Sequence, residues 1–106
     1  MGKIKELSDE FVGIGEVSGY VFRKERSDGY AYLYSVRGGS NRVYYEVFER
    51  RVNDRFGVVS YPKAKAFGKW ALTTYDWDKA NEYFEEMSAF VKSRLSTSSD
   101  ALDSDD

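Results

Sequence analysis

Residues 29–36 read GYAYLYSV, so Tyr30, Tyr32 and Tyr34 alternate with Ala31, Leu33 and Ser35. Alternation at this period belongs to a β-strand, whose successive side chains point to opposite faces of a sheet. The three tyrosines therefore share one face, and Ala31 and Leu33 share the other. The small side suits the close approach of a helix, which assigns Tyr30, Tyr32 and Tyr34 to an open face.

Working outward, VSGYVFRKE (17–25) precedes this stretch across a turn containing Asp28 and Gly29, and RVYYEVFER (42–50) follows across a turn containing Gly38 and Gly39. β-branched and aromatic runs punctuated by Asp-Gly and Gly-Gly predict antiparallel hairpins. A further turn at residues 52–55 leads to FGVVSY (56–61), which Pro62 stops because proline supplies no N–H to a ladder. After a loop at 63–66, FGKWALTTY (67–75) is the fifth expected strand. Asp76 is placed to cap a helix beginning at Trp77 and running to about Leu95. Its Ala80, Tyr83, Phe84, Met87, Val91 and Leu95 form a stripe at spacings of three and four, widened by Phe90, while Lys79, Glu82, Glu85, Glu86 and Lys92 face water.

The expected fold is α+β: an antiparallel five-stranded β-sheet, arranged as a meander, with one C-terminal α-helix packed on one face. Residues 1–14 are a lead-in segment in which Phe11, Val12 and Ile14 are the packing candidates. Residues 15–95 form a single domain, and residues 96–106, STSSDALDSDD with one leucine and one alanine, are expected to be a disordered acidic tail.

Composition narrows the chemistry. The chain has no cysteine and no histidine, which removes disulfides, thiol nucleophiles, most zinc sites and the histidine-dependent triads. Neither a signal-peptide core nor a membrane-length apolar run is visible, which predicts a soluble, cytoplasmic protein without membrane contact. The segment from Gly13 to Gly19 has Ser18 where a dinucleotide-binding GxGxxG loop has glycine, and a strand follows instead of a helix. Glu82, Glu85 and Glu86 read as a solvated helix face, so neither a metal nor a cofactor is expected. A tyrosine nucleophile assisted by arginines is formally available, but its usual histidine or metal helpers are missing. The expectation is a protein without enzymatic activity.

The net charge of −2 is unevenly distributed: residues 37–70 carry eight basic and three acidic residues, whereas residues 71–106 carry three and nine. In the middle third Arg37, Arg42, Arg50, Arg51, Arg55, Lys63, Lys65 and Lys69 interleave with Tyr44, Tyr45, Phe48, Tyr61, Phe67 and Trp70. Cations that neutralise phosphate, mixed with rings that stack on bases, are what single-strand binders use. The expected site is Tyr30, Tyr32, Tyr34 and Tyr44 as stacking rings, with Arg37, Arg42, Arg50 and Arg51 meeting phosphates of single-stranded DNA or RNA. The alternative occupant of the same face is a host protein, since Tyr, Trp and Arg also dominate protein hot spots. Packing offers a third account of the rings, because a twisted sheet can bury both faces and the N-terminal segment can cover part of the second. The acidic tail reads either as a competitor for the basic surface or as a solubilising extension. An exposed edge strand leaves a homodimer open.

The segments YYEVFERR, RFGVVSYPKAKAFGKWA and DWDKANEYFEEM resemble short proteins encoded by bacteriophages and related mobile elements, over about residues 10–90. The resemblance carries no site residues and implies only a phage- or plasmid-bearing bacterial setting. A fainter likeness to WGR modules, nucleic-acid-associated domains of sheet and helix, departs at their naming triplet, where this chain has Gly68, Lys69 and Trp70.

Overall fold

In a computed structural model of the chain, residues 4–13, 18–39 and 42–105 are described, with backbone only for 96–105. The strands are β1 (Glu10–Val12), β2 (Val21–Ser27), β3 (Ala31–Arg37), β4 (Val43–Glu49), β5 (Val52–Asn53), β6 (Val58–Val59) and β7 (Ala71–Thr74), followed by helix α1 (Trp77–Asp105). The main sheet has five antiparallel strands in the order β1-β2-β3-β4-β7. With α1 packed against β3, β4 and β7, the fold is α+β.

Local chemistry explains the turns. The Asp28 carboxylate accepts the N–H groups of Tyr30 and Ala31 at 3.0 and 3.1 Å, and Gly29 takes a φ of 88°, a conformation that side chains disfavour. Asp76 caps α1 as its sequence position predicts, accepting from the N–H groups of Asp78 and Lys79 at 2.8 and 3.2 Å.

The membership of the sheet differs from the sequence expectation in one exchange. FGVVSY supplies only the two residues of β6, which pair with β5 in a separate hairpin, and the fifth place in the main sheet goes to β1 from the lead-in segment. The cause is local: Gly57 sits at a φ of 64° inside the turn, and Pro62 ends the run, so too few residues remain to ladder against β4. The excursion between β4 and β7 instead folds over the sheet.

Both sheet faces are buried. On the helix side Ala31, Leu33 and Val47 meet Ala80 and Phe84, so the small side does receive the helix. On the stripe of α1 Ala80, Phe84 and Val91 are buried and Tyr83 and Met87 half-buried, whereas Leu95 and Phe90 are 53% and 58% exposed. On the other side Phe22, Tyr32, Tyr34, Val36 and Phe48 form a second core with Val59, Ala66 and Ala71. The open tyrosine face is therefore corrected: Tyr32 is 1% and Tyr34 0% exposed.

Their cover comes from two segments. In the lead-in, Leu7 and Phe11 pack on this core, and Phe11 stacks on Phe22 at 4.8 Å and meets Tyr34 edge-on at 5.6 Å. Backbone bonds pin the segment, from Lys5 N–H to Gly57 O at 2.8 Å and from Val59 N–H to Lys5 O at 2.9 Å. From the excursion, Tyr61 inserts edge-on against Phe22 and Phe48 at 5.6 and 5.0 Å. Buried phenols need partners. Tyr34 donates to Ser8 O at 2.6 Å, and Tyr32 donates to Glu6.

A β-bulge between Lys24 and Arg26 decides where two cations go. Lys24 pairs with Tyr34 on the tyrosine side, whereas Arg26, one extra residue on, pairs with Leu33 and crosses to the helix side. There it lies over the Phe84 ring at 4.3 Å and donates to Asn81 and Glu85. The side chains of the expected acidic tail, 96–106, and Ile14 of the lead-in lie outside the described residues. Among the described residues no helix is long and apolar enough to cross a membrane.

Candidate functional site

The eight residues expected to form one surface are dispersed. Tyr32 and Tyr34 are core, and burial, aided by the Glu6 carboxylate in the case of Tyr32, pushes the Tyr32 hydroxyl up to about 12 and that of Tyr34 up as well. Tyr30 is half-buried at the β2–β3 turn. Arg50 is consumed by the lead-in: it grips the Glu6 carboxylate with Nε at 3.0 Å and Nη2 at 2.5 Å, and that hydrogen bond holds Glu6 down to about 2. Arg37 sits at the exposed end of β3 opposite Val43, on the helix side by alternation. Tyr44, Arg42 and Arg51 remain on or near the tyrosine side, at opposite ends of β4.

What the chain does assemble is a groove of about 560 Å³ beside the end of β4. Its cations are Arg51, Lys63, Lys65 and Lys69, and its floor includes Tyr61 and Trp70. The local fold follows from Pro62 and a single 3-10 turn at Ala64–Ala66. That turn is closed by Ala66 N–H to Lys63 O at 2.8 Å, and Lys69 and Trp70 both donate back to Ala66 O, at 2.9 and 3.0 Å. Gly68, at a φ of 89°, lets the chain double back so that Lys69 and Trp70 rejoin the groove. Lys63 and Lys65 are exposed, separated by one residue of the turn.

The electrostatics are one-sided. No acidic residue lines the groove, and Lys63, Lys65 and Lys69 take part in no ion pair among the described residues. The Arg51 guanidinium lies over the Trp70 ring at 4.6 Å and is held there by Glu49 Oε1 at 3.2 Å. Glu49 is buried and also binds Arg94 at 3.0 Å. Two guanidiniums on one carboxylate leave a surplus positive charge, with the planar Arg51 group turned toward the groove on an aromatic base.

Beneath the groove Tyr61 donates to Glu46, a buried carboxyl on β4. Burial pushes the Glu46 carboxyl up, against the lowering effect of the Tyr61 and Tyr44 hydroxyls. Burial, reinforced by Glu46, pushes the Tyr61 hydroxyl far up in turn, and Tyr44 is pushed up to about 12 by burial and by Glu46. These phenols stay protonated at any ordinary pH, which disfavours them as nucleophiles. On the far face, the helix face of Glu82, Glu85 and Glu86 is partly paired: Glu85 with Arg26 at 2.7 Å and Glu82 with Lys79 at 3.5 Å.

Lys63, Lys65, Lys69, Tyr61 and Trp70 stood in the basic and aromatic third of the sequence but outside the expected site. The available signal was Pro62 followed by three lysines within seven residues and a glycine, a pattern that folds cations onto one turn rather than along one strand. A scan of family models, a search of curated proteins and a search of solved structures each return no match for this chain.

Proposed function

We propose that the protein is a non-enzymatic binding module whose ligand is single-stranded nucleic acid, held in the groove around Trp70. The observation that carries this reading is the convergence of three lysines and a ring-mounted arginine on a half-buried tryptophan, with the lysines in no ion pair and no carboxylate lining the cavity among the described residues. Phosphates meet the cations and a base stacks against the indole, a combination that is tolerant of sequence. The burial of Tyr32 and Tyr34 removes the sheet face that the sequence offered to the nucleic acid and to the alternative host protein alike, so the reading rests on the groove. The bacteriophage or mobile-element setting that the sequence resemblance implies accommodates such a module.

Titration of a labelled oligothymidylate at 50 and 200 mM salt tests the reading. Four cations meeting up to four phosphates give a slope of about −3 in log K against log salt, or about 50-fold weaker binding at the higher salt. Lys65→Glu with Lys69→Glu should abolish binding while leaving the thermal transition in place. Absence of binding at 50 mM salt, or binding indifferent to salt, refutes the nucleic-acid reading.

A further inference from the structure

Trp70 and Tyr75 stand immediately on either side of β7, the last strand in the sheet order, whose edge is met at Ala71 by Phe67 and Gly68 and, among the described residues, has no strand beyond it. The four residues of β7 lie between the two rings, and the five steps from Trp70 to Tyr75 cover about 16 Å. Tyr75 is 65% exposed, so it contributes little to the core. It rests edge-on against Tyr44 at 5.9 Å and carries the Arg42 guanidinium over its ring at 5.0 Å. The arrangement repeats the one at Trp70, where Arg51 covers the indole. Both platforms belong to the same side of the molecule, because Trp70 and Tyr44 each pack against the tyrosine core. Arg42 takes part in no ion pair among the described residues.

We propose that the bound strand does not end in the groove but continues along the outer edge of β7 to a second stacking platform made by Tyr75 and Arg42. This extension rests on the nucleic-acid reading of the groove. Between the platforms lies exposed Thr73, which pairs with Glu46 and so shares its face. The carboxylates near the path are occupied: Glu46 is buried and accepts from Tyr61, Glu49 is buried and binds Arg51 and Arg94, and Asp76 accepts the N–H groups that open α1. At about 3.4 Å per stacked nucleotide the track spans about five, within the range of single-strand sites.

The experiment is a length series of oligothymidylates, from two to ten residues, against the parent chain, Tyr75→Ala and Arg42→Ser. The expected result is affinity that climbs until about five residues and then levels. Tyr75→Ala should weaken the eight-residue oligomer about tenfold and leave the two-residue oligomer unchanged. Arg42→Ser should flatten the salt slope of the longer oligomer by about 0.7. Tyr75 and Arg42 are both exposed, so their loss leaves the core intact, and an unchanged thermal transition verifies this. Unaltered binding of the longer oligomer by both variants, with the lysine pair still required, overturns the track and keeps the groove. Failure of every oligomer to bind overturns both.

Discussion

Replacing Phe11 by alanine tests whether the lead-in segment is part of the hydrophobic core or a strap lying on a finished domain. The ring is half-buried, stacks on Phe22 with an interplanar angle of 5°, and meets Tyr34 and Tyr61 edge-on at 5.6 and 5.5 Å. Removing about 100 Å² of buried ring from contact costs about 2.5 kcal/mol at 25 cal/mol per Å². The lost ring–ring geometry adds about 0.5–1.5 kcal/mol. Relaxation of a site near the surface offsets part of this, leaving about 3 kcal/mol, a large share of the total stability of a domain this size. In urea denaturation followed by tryptophan fluorescence and far-UV circular dichroism, with a slope near 2 kcal/mol per M, the midpoint should fall by about 1.5 M. Val12→Ala is the matched control. Val12 is the next residue along β1 and 61% exposed, so its loss should change stability by about 0.5 kcal/mol at most. A Phe11→Ala cost below about 1 kcal/mol, or equal costs for the two variants, would refute the claim that the lead-in closes the second core.

Two predictions concern pH. Because the folded-state pKa of Glu46 is raised above its ordinary value, its contribution to stability is fully present below the unfolded value of about 4.5 and is lost as pH rises through the folded one. Glu46→Gln keeps an acceptor for Tyr61, so the variant should melt above the parent at pH 7 and lose that advantage below about pH 4.5; a parent that is the more stable at pH 7 would show the charge to be welcome there. Glu6 has the opposite sign, since its Arg50 contact lowers it to about 2 and gives stability that is present above the unfolded value and lost as pH falls toward 2. With the Glu6 side chain 48% exposed, screening limits the effect to about 1 kcal/mol, read as the gap between the parent and Glu6→Gln closing between pH 5 and pH 2; a gap independent of pH would contradict it.

The alternation in GYAYLYSV identified β3, its two faces and the face the helix takes, because period-two patterning and side-chain size are local properties. Asp76 and the stripe through Val91 were readable for the same reason. What covers the tyrosines was not readable, since it depends on long-range partners that leave no periodic trace: Ser8 contributes a backbone carbonyl, and Glu6 is one more charged residue in a charged segment. Arg50 illustrates the difficulty from the side of the site. In the sequence it is indistinguishable from Arg51, yet one neutralises Glu6 and the other lies on Trp70 beside a groove.

The covering of the second face also bears on where recognition can occur. A sheet that buries both faces has only its edges and its excursions to offer a ligand. Those are the places where this chain puts the lysines of the groove and its most exposed tyrosine. Asp78, Glu82, Glu85 and Glu86 ride on α1, across the sheet from the tyrosine core, whereas Glu6 and Glu46 on the tyrosine side are taken up by Arg50, Tyr32 and Tyr61. The sheet thus stands between the carboxylates of α1 and the lysines of the groove in a chain whose net charge is only −2. On the proposed function, a polyanion would be steered toward the groove and repelled by the carboxylates of α1. The bulge that sends Arg26 to the acidic helix neutralises part of that layer, and the turn after Pro62 gathers the lysines on the other side.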